Sequence, residues 1–274
     1  MDKLRIAFIG TGSMGSAVLE GLIASGHPRE LISATVRTES TAQALRARGI
    51  SALATETSPD ANQLMAGDAD LIVLGVKPYQ IPDVLGELVG EIGKNSVVIS
   101  MAAGIQLATM ASQLPENPNL IRTMPNTPAL VGKGVTGLAA GPNASAEAVT
   151  AATELFEAVG AVVKIEESQI DALSAISGSG PAWVYYIIEQ WEKIALEKGF
   201  SRADAKLMVR QTLAGSIALL ESSGEEPVEL RRRVTSPGGT TERIIATLDQ
   251  ADLNSIFRAS LEAAVSRARE IANS

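Results

Sequence analysis

Leu4-Arg5-Ile6-Ala7-Phe8-Ile9-Gly10-Thr11-Gly12-Ser13-Met14-Gly15 decides the fold of this chain. A short apolar run ends in a Gly-x-Gly-x-x-Gly loop, and a helical pattern follows at once and continues through Ala24. Strand, glycine loop and helix in that order open a βαβ unit. The three glycines then permit a tight turn, close approach of a pyrophosphate and tight helix–strand packing. Gly10, Thr11, Gly12, Ser13, Met14 and Gly15 are therefore expected to hold a dinucleotide, its phosphates at the positive end of the helix.

Outward from this loop the alternation continues. Leu31 to Val36, Leu71 to Val76, Ser96 to Ser100 and Leu120 to Met124 read as buried strands. Helices are expected near residues 40–48, 59–66, 81–89 and 107–113, an order that predicts a parallel, doubly wound sheet. Val135 to Ala140 and Val162 to Ile165 add strand candidates around a helix near 146–159. From Ser168 the apolar spacing turns helical over 181–198, 202–222, 227–233, 239–248 and 253–272. The expectation is an α/β chain, with a Rossmann-type dinucleotide-binding domain over 1–166 and an all-α domain over 167–274. An Ala-rich helical domain of about a hundred residues has little core of its own, and homodimerisation through its helices would supply more. Helices packed only on the α/β part are the alternative.

Composition excludes several classes. A net charge of −8 gives no basic face for nucleic acid. With 46% hydrophobic but only 3% aromatic residues, the core must be aliphatic. Apolar runs such as Val97 to Ile105 fall short of the ~20 residues of a membrane helix. Met1-Asp2-Lys3-Leu4 leads into a strand without the parts of a signal peptide, so no membrane partner and a cytoplasmic location are expected. There is no cysteine and one histidine, His27, which rules out thiolate nucleophiles, disulfides and Cys-type zinc sites. No metal site is expected. His27, in Gly26-His27-Pro28 after the first helix, reads as a solvated loop residue. Chemistry must come from a cofactor and from positioning.

Three further motifs bear on a site. In Val36-Arg37-Thr38, at the end of the second strand, an arginine stands where enzymes using NAD usually place an acid, which suits the 2′-phosphate of NADP. Glu39 leaves NAD possible. Val76-Lys77-Pro78 ends the strand 71–76 at the carboxyl edge of the sheet, so Lys77 either touches the cofactor or is solvated. Val234-Thr235-Ser236-Pro237-Gly238-Gly239-Thr240-Thr241 precedes a helix, and its hydroxyls and helix-start N–H groups suit a carboxylate without a dedicated arginine. A plain helix cap reads equally well there, and Ser177-Gly178-Ser179-Gly180-Pro181 is ambiguous in the same way.

Taken in order, Gly10 to Gly15, Val76-Lys77-Pro78, Arg122-Thr123-Met124-Pro125-Asn126-Thr127-Pro128, Ser177-Gly178-Ser179-Gly180-Pro181-Ala182 and Val234 to Thr241 resemble the pyrroline-5-carboxylate reductases over essentially the whole chain. The resemblance implies reduction of 1-pyrroline-5-carboxylate to L-proline with NAD(P)H, the last step of proline biosynthesis; with Arg37 where it stands, NADPH is preferred and NADH possible. It also implies dimers with intertwined C-terminal helices and larger rings. It assigns Asn62, Arg37 and Thr38 to the adenosine part of the cofactor, with Val76, Lys77 and Pro78 beside it. Ala102, Ala103 and Gly104 fall near the nicotinamide. The substrate falls on Val234, Thr235, Ser236, Gly238, Gly239, Thr240 and Thr241, and Thr241 becomes the orienting hydroxyl at the ring nitrogen. Arg233, just before that loop, departs from the uncharged amide residue the family often carries. The competing readings are another Rossmann imine or β-hydroxyacid dehydrogenase, or a non-catalytic NADP-sensing regulator. The hydroxyacid enzymes are expected to carry a lysine and an asparagine where this chain has Trp183 to Ile188.

Overall fold

The computed structural model describes residues 3–117 and 119–272; Met1 and Asp2, at the start of the expected first domain, lie outside the described residues. β1 (Ile6–Ile9) is buried at every position. Ile6 and Phe8 join one apolar cluster while Ala7 and Ile9 join another, so both faces of the strand are covered. β2 (Ile32–Val36), β3 (Ser51–Ala54), β4 (Leu71–Leu74), β5 (Val97–Ser100), β6 (Leu120–Met124), β7 (Gly134–Ala140) and β8 (Gly160–Lys164) complete an eight-stranded sheet of order β3-β2-β1-β4-β5-β6-β7-β8.

The covering helices are α1 (Ser13–Ala24), α2 (Glu39–Arg46), α3 (Ala61–Ala66), α4 (Ile81–Leu88), α5 (Leu107–Gln113) and α6 (Ala146–Glu157). α1, α2 and α6 pack on one face, and α3, α4 and α5 on the other. Between β1 and β4 the strand order reverses, and ligands of open α/β sheets bind at such a point, outside the carboxyl ends of the strands.

Two features differ from the sequence reading of this sheet. β3 forms from Ser51-Ala52-Leu53-Ala54, which has neither β-branched nor aromatic residues; the open edge of β2 supplies its hydrogen bonds. β7 runs antiparallel to β6. Only residues 125–133 link the two, and a parallel return needs a crossover of about a dozen residues or more.

His27 corrects an expectation: it is buried, with 5% of its surface exposed. α1 ends in a turn in which Gly26 takes φ +95°, with Gly26 N–H donating to Ile23 O (3.0 Å) and His27 N–H to Leu22 O (3.2 Å). This closure folds the residue after the glycine back toward the helix, so the imidazole turns inward.

Arg48, beyond α2, pairs with Glu20 on α1 at 2.5 Å. The hydrogen bond from Arg48 holds the Glu20 carboxyl below its usual range, against an opposing push from partial burial. A depressed carboxylate adds stability above its unfolded pKa and loses it as pH falls through the folded one. Both side chains are nearly half exposed, so screening limits the gain to roughly 0–1 kcal/mol. Glu20→Gln should melt slightly below the parent at neutral pH, and the two melts should converge in acid.

By packing, the chain divides into one unit of Met1–Ser179 with Ala264–Ser274 and another of Gly180–Ala263. The expected boundary at 166/167 differs from this division. α7 (Ile170–Leu173) and the wide turn Ser174–Gly178 belong with the sheet, since Ile170 and Ala175 are buried there and Leu173 fills the space a side chain at Gly137 would take. α8 (Gly180–Glu197), α9 (Arg202–Ser223), α10 (Pro227–Arg233), α11 (Thr240–Gln250) and α12 (Leu253–Ala272) follow, and α12 contributes to both units. Within the helical unit α8 packs on α9, and Trp183 meets Phe257 with ring centroids 5.0 Å apart. α8 buries none of its residues: Val184, Tyr185, Tyr186, Trp191 and Ile194 all stand exposed. No helix among the described residues is long and apolar enough to cross a membrane.

Candidate active site

The glycine loop sits where the strand order reverses, and contacts from two strands fix its shape. Gly10 N–H donates to Thr35 Oγ1 (2.9 Å) and Thr11 N–H to Thr35 O (2.8 Å), so buried β2 holds the turn. Gly10 has φ +80°, and a Cβ there would stand 2.2 Å from Val76 Cγ1. Val76 and its neighbour Gly75, just after β4, close the other side; a Cβ on Gly75 would lie 2.6 Å from Gly10 O. β4 ends at Leu74, short of the strand expected to reach Val76, because this crossing of backbones leaves no room for a pleated strand. A Cβ on Gly12 would meet only Gly75 O, at 4.0 Å. Gly12 is the N-cap of α1 and has no side chain to offer, and the first helical bond is Ser16 N–H to Gly12 O. The start of α1 thus presents backbone N–H groups and its positive end, a cradle that fits a pyrophosphate.

At the end of β2, Arg37 is exposed and has no acidic partner among the described residues. Thr38 caps α2, its hydroxyl bonded to Ser40 Oγ (3.2 Å) and Thr41 Oγ1 (2.9 Å). The Glu39 carboxylate pairs with Arg46 within the same helix. That engagement weakens the NAD-type reading of Glu39. Asn62 on α3 is 7% exposed; its Nδ2 donates to Glu87 Oε2 (2.6 Å) on α4 while its buried Oδ1 has no donor among the described residues. An orphaned buried acceptor calls for a donor the protein does not supply. Lys77 is exposed and starts the short turn Pro78–Gln80, its N–H donating to Gln80 Oε1 (3.2 Å).

Ala102, Ala103 and Gly104 follow β5 and line a cleft with Arg122, Thr123, Met124, Asp171 and Ser174. Arg122 is 4% exposed although it stands on a central strand. Its guanidinium pairs with Glu167 (3.1 Å) and lies 3.8 Å from Asp171. The same Glu167 oxygen accepts Leu107 N–H at 2.7 Å, which ties the start of α5, and hence the loop 101–106, to β6. Asn126 is also buried; it donates to Ser177 O (2.9 Å) and accepts from Val135 N–H (2.8 Å), joining two of the sequence motifs.

In the helical unit the loop 234–239 runs into α11 with Gly239 as a bare N-cap. Thr235 Oγ1 is used on Arg231 O (2.7 Å), whereas the hydroxyls of Ser236, Thr240 and Thr241 have no protein partner among the described residues. Glu242, in the first turn of α11, reaches back to Gly238 N–H at 2.9 Å and braces the loop. Val234 is 66% exposed. Arg233 is held by both oxygens of Glu225, each contact 2.7 Å, so it braces the preceding turn.

A family model described as pyrroline-5-carboxylate reductase dimerisation matches residues 167–271, and one described as NADP oxidoreductase, coenzyme F420-dependent, matches residues 5–104. A pyrroline-5-carboxylate reductase of Methanosarcina acetivorans is 37% identical over 272 residues, 99% of each chain. This chain belongs to the pyrroline-5-carboxylate reductase family. The solved structure of the Coxiella burnetii pyrroline-5-carboxylate reductase matches it with a TM-score of 0.90 at 35% identity, covering 98% of both chains. The Plasmodium falciparum pyrroline carboxylate reductase, solved with NADP bound, matches with a TM-score of 0.85 at 26% identity over 99% of both.

Among pyrroline-5-carboxylate reductases this chain therefore keeps both halves in order, and the rival β-hydroxyacid dehydrogenase reading is not favoured. The roles of Arg122, Glu167 and Asp171 are not legible in the sequence motifs. The one available signal was a charge, Arg122, set inside the apolar run Leu120 to Met124; burial that deep requires paired acids.

Proposed function

We propose that this chain reduces 1-pyrroline-5-carboxylate to L-proline with NADPH, the closing step of proline biosynthesis, NADH serving less well. Near-full-length similarity to pyrroline-5-carboxylate reductases carries the reading, and the Gly10–Gly15 cradle supports it physically. The nicotinamide, when bound, supplies a hydride to the carbon of the substrate C=N bond.

The chain's residues bind and orient. Gly10, Thr11, Gly12, Ser13, Met14 and Gly15 hold the pyrophosphate. Arg37 and Thr38 hold the adenosine end, Asn62 offers its orphaned Oδ1 to a ribose hydroxyl, and Val76, Lys77 and Pro78 flank them. Ala102, Ala103 and Gly104 border the nicotinamide. Ser236, Gly238, Gly239 and Thr240 receive the substrate carboxylate at the start of α11, with Val234 and Thr235 shaping the approach. A protonated imine is already electrophilic, so positioning matters more than acid–base machinery. Thr241 Oγ1 accepts the N–H of the protonated ring nitrogen and keeps the imine carbon facing the donor.

A hydrogen bond to a charged group contributes about 1.5–3 kcal/mol. Thr241→Ala should accordingly lower turnover about 10- to 100-fold with NADPH affinity unchanged, and Thr241→Ser should recover most of it. Unchanged turnover in Thr241→Ala would remove this role. Incubation with NADPH deuterated at its transferable position should place one deuterium on proline Cδ; unlabelled proline would exclude direct hydride transfer.

Residues 167–271, which match the dimerisation model, are the dimerisation part, and the exposed apolar side chains of α8 are its natural contact surface with a second copy. We place the reaction in the cytoplasm, where reduced nicotinamide cofactors are regenerated.

A further inference from the structure

Glu56 lies beside Arg37 without pairing with it. Backbone hydrogen bonds from Thr55 N–H to Val36 O (2.9 Å) and from Glu56 N–H to Arg37 O (3.2 Å) extend the β2–β3 pairing past both strand ends. The Glu56 side chain then turns to the start of α2, where its Oε1 accepts Glu39 N–H at 2.7 Å. A helix start attracts anions, and here a carboxylate from the neighbouring strand end takes one of its donors. Thr38, the N-cap, spends its hydroxyl on Ser40 and Thr41, and Glu39 is neutralised by Arg46. Among the described residues, neither Arg37, positive, nor Glu56, negative, has an oppositely charged partner.

We propose that Glu56 sets how far this chain discriminates NADPH from NADH, opposing Arg37. The inference rests on the reading that Arg37 and Thr38 receive the 2′-phosphate. A phosphate ester there carries about −1.5 to −2 charges, is repelled by the carboxylate and competes with it for the α2 donor. A 2′-hydroxyl has no such charge and can donate to Glu56. Arg37 therefore favours NADPH while Glu56 offsets part of that preference, leaving a chain that uses both cofactors with a narrow margin. Glu56→Gln keeps the shape and the acceptor for Glu39 N–H, and removes only the charge.

Calorimetric titration of the full-length protein with 2′,5′-ADP and with 5′-ADP separates the two ideas. Arg37→Ala should weaken 2′,5′-ADP selectively. Glu56→Gln should tighten 2′,5′-ADP about tenfold, the scale of one unit charge acting on a phosphate through water-like screening, and leave 5′-ADP unchanged or slightly weaker, since the charged acceptor for its 2′-hydroxyl is gone. The ratio of KM for NADH to KM for NADPH should rise correspondingly. If Arg37→Ala weakens 2′,5′-ADP and Glu56→Gln leaves it alone, or shifts both ligands equally, the placement of the phosphate stands and the role of Glu56 is overturned. If Arg37→Ala has no selective effect, the placement itself fails and takes this inference with it.

Discussion

Gly10→Ala is expected to abolish cofactor binding and to destabilise the fold, whereas Gly12→Ala should impair only the binding. At Gly10 the new methyl would stand 2.2 Å from Val76 Cγ1 and 3.0 Å from Val76 N, on a backbone with φ +80°. The left-handed conformation costs an alanine roughly 1–2 kcal/mol, and overpacking a rigid junction adds about 1–3. The strain falls where β1 and β4 diverge, so relief requires the loop to move away from the position that aims the start of α1 at a pyrophosphate. At Gly12 the methyl meets nothing nearer than 4.0 Å, so the protein accommodates it, but it occupies the surface a phosphate must approach. Thermal melts paired with NADPH titrations separate the two variants. A Gly10→Ala protein that melts and binds like the parent would show that the glycine loop is not the cradle described.

Arg122→Met is expected to cost about 3–5 kcal/mol, more than any surface change, because it removes the buried cation and leaves Glu167 and Asp171, both mostly shielded from water, without their shared partner. Arg122 is 5% exposed at its side chain, and Glu167 and Asp171 are 32% and 27% exposed. For a domain of this size such a loss lowers Tm by roughly 10 °C. Glu167 also holds Leu107 N–H, so its release should loosen the loop carrying Ala102, Ala103 and Gly104. The double variant Arg122→Met/Glu167→Gln should recover part of the stability but not the position of that loop. Differential scanning calorimetry decides the point; a single variant melting within a degree of the parent would mean the cluster is solvated and contributes little.

The elements read correctly from sequence are those whose signal is local. The run Leu4 to Gly15 contains its own strand, turn and helix start, and the C-terminal helices carry a long apolar period. What escaped was set by partners far along the chain. β3 is Ser-Ala-Leu-Ala and becomes a strand only because β2 has an open edge. His27 turns inward through a helix-ending turn that the preceding Gly26 closes. Arg122 depends on acids 45 and 49 positions away, a spacing no motif records. The part played by Glu56 follows from where two strand ends meet, which pattern and propensity leave undetermined. Ala102, Ala103 and Gly104 carry no chemistry in their side chains and are assigned to the nicotinamide only by family resemblance.

The central claim is that this chain is a working reductase of a cyclic imine. The most direct measurement follows NADPH oxidation optically on addition of 1-pyrroline-5-carboxylate to the purified protein, with NADH and the six-membered imine run in parallel and proline quantified in the product. Oxidation should depend on the substrate, with one proline formed per NADPH consumed and a slower reaction with NADH. A folded protein that binds NADPH but forms no proline would contradict that claim.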